Sequence, residues 1–339
     1  MRIGYSFWGF LGDGITDTPD GGRSHRKTFV DGLITGGHSI TFLQADRDTT
    51  ETRTPVAGPY AWDVGLPDLD ALFLEWRWPI AGRNTTPCGT EGHTCDLHRQ
   101  QQLLTHYSGR VPLLVWDKDQ QLTPADPVRR LPDVTVCEPA LHPRHGARSL
   151  LFPVADEALD AADPHRLADR ERRLPLVYVG NQYGRDRAFD GFFAPAARHL
   201  EHEVAGKWTD TSRWPHVRFI GRVPFREGLA LHREAHATVL IAPDRYVTTG
   251  QYTQRLVEAV MAGCAPIVPA HYRAAGTVIP GELHACNGDH VSDITHGVAG
   301  MAVDDRARLI GRCLRRLDPF RLSRQINTVN AVLAPSGGR

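Results

Sequence analysis

The chain has 339 residues, more than one hydrophobic core usually organises, so two domains of ordinary size are expected. Hydrophobic residues make up 41% of it, and its 32 glycines and 24 prolines are typical of a loop-rich globular protein, not of a disordered or fibrous one. Because 39 basic and 39 acidic residues cancel, the overall charge argues against a surface that attracts nucleic acid everywhere.

The first half of the chain alternates strand-like apolar runs with helix-length segments. The predicted strands are Ile3–Trp8, Ser39–Leu43, Ala71–Glu75, Pro112–Trp116 and Leu150–Val154. Between the first two, residues 24–34 have helical spacing of apolar positions and end at Gly36-Gly37, a common helix stop. The pattern predicts a β-α-β unit at the start of an α/β domain.

A charged, alanine-rich stretch, 161–173, is typical of a linker or a connecting helix, and the alternation resumes after it. Strands are predicted at 176–179, 217–220, 237–241 and 265–268, with helices beginning near Asp186, Glu227 and Tyr252. We therefore predict a Rossmann-like N-terminal domain over 1–165, a second Rossmann-like domain over 166–315, and a C-terminal helix and tail over 316–339.

The predicted strand 176–179 ends in Gly180-Asn181, and Gly184 and Arg187 follow at a predicted helix start. Glycines let a ligand approach the backbone closely, and a helix N terminus with arginines suits a diphosphate. A single glycine turn is a weak pattern, so an ordinary β-α turn without a ligand is the alternative.

Arg255 and Glu258 lie one turn apart on the predicted helix that begins near Tyr252. Ligands of α/β proteins bind at the carboxyl ends of parallel strands, where this helix would start. Arg255 could then meet a phosphate while Glu258 accepts hydrogen bonds from ribose hydroxyls. The alternative is a surface ion pair, which contributes little.

Other residues in the sequence have both a functional and a structural interpretation. Four clustered residues of metal-ligating types could form a zinc site: Cys88, His93, Cys95 and His98. Their spacing fits no standard zinc finger and favours an exposed loop. The six cysteines have no regular spacing, which suits reduced thiols.

No apolar run approaches the roughly 20 residues of a membrane helix, and no signal peptide is evident. We expect a cytoplasmic protein with no membrane contact, and a monomer.

The order and content of these motifs resemble the nucleotide-sugar glycosyltransferases with two Rossmann-like domains, known as GT-B enzymes. The helix with Glu258, followed by Ala262-Gly263-Cys264-Ala265-Pro266, carries this resemblance. Within that group the chain is most similar to the DNA β-glucosyltransferases of bacteriophages. Short motifs spread over most of the chain carry the similarity: Val115-Trp116-Asp117, Phe152-Pro153-Val154, 177–187, Ala205-Gly206, 219–224 and 255–258.

The resemblance implies an α/β GT-B fold, with two Rossmann-like domains facing across a cleft and a C-terminal helix that returns to the N-terminal domain. It also implies UDP-glucose as the donor and a 5-hydroxymethylpyrimidine of double-stranded DNA, such as 5-hydroxymethylcytosine, as the acceptor, with inversion at the anomeric carbon. A phage-encoded enzyme of this kind would act in the host cytoplasm.

The resemblance also implies roles for individual residues. Asp117 would be the catalytic base, Arg187 and Arg255 would hold the diphosphate, and Glu258 would hold the ribose. The remaining donor-site residues would form the turn beneath the phosphates, border the uracil and supply an aromatic side chain: Gly180 and Asn181, Gly206, and Tyr246, respectively.

The acceptor side is indicated by fewer residues. Residues 21–25 read Gly-Gly-Arg-Ser-His, and His25 stands where the similar enzymes carry an acidic residue. Arg23 in the same stretch is a further candidate for the acceptor side. Trp76 and Trp78 follow a predicted strand and could stack on an extruded base, or pack in the core.

Asp117 also has a case of its own. An inverting transfer needs a carboxylate to take the proton of the acceptor hydroxyl, and Asp117 follows a predicted strand at the expected edge of the sheet. Asp119 is the rival, and either aspartate could instead cap a turn. The run Asp117-Lys118-Asp119 could also hold a divalent ion, Mg²⁺ or Mn²⁺, at the diphosphate.

Two other functions share these motifs. One is a bacterial GT-B enzyme that glycosylates a small molecule or a polysaccharide. The other is a catalytically silent module that binds a nucleotide-sugar or DNA, which would need Arg255 and Glu258 but not Asp117.

Overall fold

The computed structural model describes residues 1–12, 23–79 and 96–334, with the side chains of Arg23 and Ser24 left aside. The chain forms two compact units. The N-terminal unit contains the described residues up to Pro153 together with those from Leu322 onward, and the C-terminal unit contains Val154–Arg321.

The N-terminal unit is built on a seven-stranded parallel sheet with the order β3-β2-β1-β4-β5-β6-β7. Its strands are β1 (Arg2–Ser6), β2 (Ser39–Phe42), β3 (Ala61–Trp62), β4 (Ala71–Glu75), β5 (Leu113–Trp116), β6 (Val134–Glu138) and β7 (Ala147–Ser149). Its helices are α1 (Arg23–Thr35), α2 (Arg47–Thr52), α3 (Asp96–Tyr107) and, from the chain end, α14 (Leu322–Leu333). Successive strands are added on one side of β1 as far as β3 and then on its other side from β4 onward. Rossmann-like sheets bind ligands at the carboxyl ends of the strands where this order reverses, here between β1 and β4.

Aromatic side chains fill one face of this sheet. Tyr5 stacks on Phe73 with ring centroids 4.6 Å apart, and Phe29 of α1 lies edge-on to Phe73 at 5.5 Å. Val329 and Leu333 of α14 belong to the same buried cluster. The C-terminal helix therefore packs on the N-terminal unit, as predicted.

The C-terminal unit has a six-stranded parallel sheet with the order β10-β9-β8-β11-β12-β13. Its strands are β8 (Leu174–Val179), β9 (His202–Ala205), β10 (Phe219–Gly221), β11 (Ala235–Val239), β12 (Ala265–Pro269) and β13 (His284–Ala285). Its helices are α4 (Asp156–Asp160), α5 (Pro164–Ala168), α6 (Asp186–Ala188), α7 (Ala194–Ala196), α8 (Phe225–Glu234), α9 (Asp244–Thr249), α10 (Gln254–Ala262), α11 (Ala275–Val278), α12 (Gly288–Ala299) and α13 (Val303–Arg315). The reversal here lies between β8 and β11.

One buried guanidinium ties several of these elements together. Arg172, just before β8, donates hydrogen bonds to carbonyl oxygens near the ends of three helices: those of Leu167, His232, Arg233, Ala235 and Ala262. Burial lowers the pKa of Arg172. Helix carbonyls without intrahelical partners carry partial negative charge, so the arginine stabilises the ends of α5, α8 and α10 together.

The α/β architecture with two parallel sheets was predicted correctly, but one strand was not. Residues 150–154 are not a strand; β7 lies just before them, and Val154 makes only an isolated bridge to Arg321. Pro153 has no N–H to donate to a sheet, and Leu150 and Phe152 are apolar because they pack in the core. None of the helices in the described ranges is both long and apolar enough to cross a bilayer.

Candidate functional site

The loops that follow β8 and β9 are held side by side by backbone contacts. The carbonyl of Gly180 accepts a hydrogen bond from Trp208 Nε1 at 2.9 Å, and Asn181 Oδ1 accepts one from the Lys207 N–H at 2.7 Å. Gly206 has a φ of 135°, and a Cβ there would lie 2.2 Å from the Gly180 oxygen. Only glycine fits, so the two loops form a close-packed, half-buried floor beneath this part of the unit.

Arg255 of α10 lies directly over this floor. Its Nη1 donates to Tyr178 Oη at 2.5 Å, and a Cβ on Gly180 would lie 2.9 Å from the same nitrogen. Within the described chain this is the single hydrogen bond of the guanidinium, which is half-buried. The structure thus brings Gly180, Asn181, Gly206 and Arg255 together beside the reversal between β8 and β11.

The N terminus of α10 lies beside the same two loops. Thr253 is the N-cap, and its side chain makes no capping hydrogen bond. The unpaired N–H groups of a first helical turn, with the helix dipole, attract anions. Glu258 lies one turn after Arg255 on the same helix and is half-buried. A phosphate at the N terminus and a polar group beside Glu258 could therefore belong to one ligand.

Two predicted donor-site residues lie in other surroundings. Arg187 of α6 has a side chain that is 92% exposed, and its ion pair is with Asp244, at 3.7 Å. Tyr246 of α9 is buried, and the Arg245 guanidinium lies 4.8 Å from its ring centre. Their predicted contacts with a donor stay predictions.

In the N-terminal unit Asp117 follows β5 and is fully buried. Its oxygens accept hydrogen bonds from the N–H groups of Gln121 at 2.8 Å and Leu122 at 2.7 Å, and from Arg144 Nη2 at 2.9 Å. Burial raises the pKa of Asp117 despite these donors. The carboxylate therefore shapes the turn after β5, while Asp119 in the same turn is half-buried.

A buried ionic cluster, which the sequence did not reveal, lies at the carboxyl ends of β1, β4 and β5. Glu75 is completely buried, and its carboxylate accepts hydrogen bonds from Arg26 Nε at 2.8 Å, Arg26 Nη2 at 2.7 Å and Tyr5 Oη at 2.8 Å. Lys118 pairs with it as well. Although burial opposes ionisation, Arg26 and Lys118 hold the pKa of Glu75 far below its usual range. In the sequence, the one indication of this cluster was the carboxylate of Glu75 as the last residue of an apolar strand.

The predicted acceptor residues lie in the same unit. His25 is buried, with its ring centre 4.6 Å from Phe152 and 5.3 Å from Trp116. Trp76 is half-buried and packs against the apolar cluster beneath α3, and Trp78 is also half-buried. The side chain of Arg23 lies outside the described residues.

The zinc group considered from the sequence falls, apart from His98, outside the described residues. In the ranges that the structure covers, no three or more His, Cys, Asp or Glu side chains are grouped so that they could hold a metal ion.

No protein-family model and no curated protein matches the sequence. Solved structures do match. T4 phage β-glucosyltransferase in complex with UDP and Mn²⁺ has a TM-score of 0.66 and 13% identity, over 99% of this chain and 100% of that one. An α-glucosyltransferase in complex with UDP and a 13-mer DNA has a TM-score of 0.63 and 12% identity, over 99% and 100%.

AviGT4, a glycosyltransferase involved in avilamycin A biosynthesis, has a TM-score of 0.57 and 14% identity, over 98% of this chain and 96% of that one. The chain therefore has the GT-B fold that the sequence predicted, and its fold resembles that of the phage β-glucosyltransferase. Since unrelated substrates occur on one fold, the function has to be argued from the site.

Proposed function

We propose that this chain of GT-B fold is a glycosyltransferase that transfers glucose from UDP-glucose to a 5-hydroxymethylpyrimidine of double-stranded DNA. The observation that carries the proposal is the group formed by Gly180, Gly206 and Arg255 at the N terminus of α10. Glycines that let a ligand approach closely, a guanidinium with unused donors and a helix N terminus all favour a diphosphate.

The donor would be held mainly by the C-terminal unit. Arg255 would bind the diphosphate, with the exposed Arg187 moving in beside it, and Glu258 would accept hydrogen bonds from the ribose hydroxyls. Asn181 would keep the turn in place, Gly206 would border the uracil, and Tyr246 would add an aromatic surface. Fixed positive groups stabilise the negative charge of the departing UDP without reorganising during the reaction.

The turn after β5 would supply the base that takes the proton of the acceptor hydroxyl. Asp117 directly follows β5, and its raised pKa makes it a stronger base. Because Asp117 is fully buried, an acceptor hydroxyl reaches its carboxylate only if Arg144 or the turn moves. Asp119 is better placed to reach a substrate, since it is half-buried and lies in the same turn.

Two isosteric variants separate these aspartates. If Asp117 is the base, Asp117→Asn abolishes turnover while Asp119→Asn retains it, and UDP affinity is unchanged in both. If Asp117 only shapes the turn, Asp117→Asn lowers the melting temperature along with activity, and Asp119→Asn abolishes turnover without changing stability. A silent binding module would show no turnover in the wild type.

The DNA acceptor is supported by similarity of fold to a β-glucosyltransferase described as a DNA-modifying enzyme and to an α-glucosyltransferase solved with a 13-mer DNA. The test is to incubate the protein with UDP-glucose and duplex DNA that contains 5-hydroxymethylcytosine, 5-hydroxymethyluracil or cytosine, and to measure nucleoside masses. A gain of one hexose on a hydroxymethylated nucleoside, with none on cytosine, is expected. Transfer to no DNA would refute the DNA acceptor.

A second candidate, transfer to a small molecule or polysaccharide, is favoured by the net charge of zero and by the similarity of fold to AviGT4. It shares the donor site and differs only in the acceptor.

A divalent cation could assist the diphosphate in either case, since the T4 phage enzyme was solved with UDP and Mn²⁺. Turnover with and without Mn²⁺ tests this. Monomeric state and cytoplasmic location stay predictions.

A further inference from the structure

Tyr252, two residues before α10, has a buried hydroxyl that no group in the described part of the chain satisfies. The residue is 2% exposed, and among the described residues its Oη has no hydrogen-bond partner. Buried polar groups are almost always paired, and an unpaired one costs about 1–3 kcal/mol. Burial, with the neighbouring Tyr272, raises the pKa of Tyr252, so the phenol stays protonated and remains a hydrogen-bond donor.

The neighbouring Tyr272 provides a contrast. The two rings stack with centroids 4.6 Å apart and planes inclined by 23°. Tyr272 Oη donates to the carbonyl of Gln251 at 2.5 Å, so its hydroxyl is accounted for within the fold. Of two stacked tyrosines in the same surroundings, only Tyr252 is left with an unused donor.

Tyr252 lines a depression at the N terminus of α10. The other walls come from 240–242 after β11, from Thr253, Arg255 and Leu256, and from Tyr272. None of these side chains carries a negative charge, while Arg255, the helix N terminus and the phenol are all donors. The depression is open on one side and too small for a whole nucleotide-sugar; its enclosed part has room for about one water-sized group, such as a single phosphate oxygen.

We propose that Tyr252 is a diphosphate-binding residue, whose hydroxyl donates a hydrogen bond to a phosphate oxygen of the nucleotide held at the N terminus of α10. This inference rests on the proposed function of the same site. In the unliganded protein the hydroxyl destabilises the fold, and binding of the phosphate supplies the missing acceptor. Active sites often retain groups that cost stability in this way.

The test compares Tyr252→Phe with the matched control Tyr272→Phe, each titrated calorimetrically with UDP and with uridine. Tyr252→Phe is expected to weaken UDP binding about tenfold, since a hydrogen bond to a charged group is lost, and to leave uridine binding unchanged. Its melting temperature should equal or exceed that of the wild type. Tyr272→Phe is expected to keep UDP affinity within about twofold and to lower the melting temperature, because the Gln251 carbonyl loses its donor.

Equal UDP affinity of Tyr252→Phe and wild type would overturn the inference and leave the proposed function standing; the hydroxyl would then be satisfied by water. Equal weakening of UDP and uridine binding would also overturn it, because the contact would not be to phosphate. Absence of UDP binding by the wild type would remove both the inference and the proposed function.

Discussion

Replacing Glu75 with glutamine tests whether the buried ionic cluster stabilises the N-terminal unit. The variant keeps the shape of the side chain but leaves the charges of Arg26 and Lys118 without their carboxylate, at sites that are 0% and 9% exposed. Breaking a buried ion pair by neutralising one partner costs about 3–5 kcal/mol, much of it the penalty of the charge left behind. We expect a loss of stability in that range.

The pH dependence gives the same test a second readout. The pKa of Glu75 in the folded protein lies far below its ordinary value of 4.5. Its contribution is therefore fully present above about pH 4.5 and is lost as the pH falls, because the unfolded chain binds a proton that the folded chain excludes. The advantage of wild type over Glu75→Gln should shrink by about 1.4 kcal/mol for each pH unit below that point.

Urea unfolding followed by circular dichroism at pH 7, 4 and 3 measures both effects. Asp70→Asn serves as the control, because it removes an ion pair with Arg2 in which both side chains are largely exposed, and such pairs contribute little. If Glu75→Gln shifts the urea midpoint no more than Asp70→Asn does, or if its deficit does not shrink with falling pH, the reasoning is refuted.

Three further predictions concern the C-terminal unit. Arg172→Met should cost about 3 kcal/mol or more in urea unfolding, because five carbonyls lose a charged donor; an unchanged midpoint would contradict this. Gly206→Ala should cost about 1–3 kcal/mol and weaken UDP binding, since its Cβ would meet Gly180. Gly191→Ala, with open space around it, should do neither. His232, whose pKa burial lowers to about 3, should stay neutral by NMR at pH 5, and the fold should lose stability as pH falls below 6.5, because the unfolded chain then binds a proton that the folded chain excludes.

Most strands could be predicted from the sequence, because a parallel sheet is buried on both faces and its strands are therefore runs of apolar residues. Ala71–Glu75 was predicted with its observed bounds. Strand β9 was missed because two buried polar residues, His202 and Glu203, take half of its four positions. Strand β6 was missed although Val134–Cys137 has a strand-like composition. The segment 150–154 was overpredicted because an apolar run does not reveal whether it packs as a strand or as a loop.

The sequence pattern indicated Gly180, in the turn after a strand, and Arg255, at the start of a helix, whereas Gly206 came only from the resemblance. The structure adds the reason for both glycines, because a Cβ on either would collide with its neighbours. The partners that position them, Tyr178 and Trp208, come from other elements and have no local pattern. Side-chain pairing across elements is decided by packing, which a single sequence does not display.

The central claim is that the N terminus of α10 holds a nucleotide diphosphate, and calorimetric titration of UDP and uridine tests it most directly. Wild type should bind UDP more tightly than uridine, Arg255→Gln should lose at least about tenfold in UDP affinity with uridine binding unchanged, and Glu258→Gln should weaken both ligands equally. No binding of UDP by the wild type, or equal UDP affinity of the wild type and Arg255→Gln, would contradict the claim.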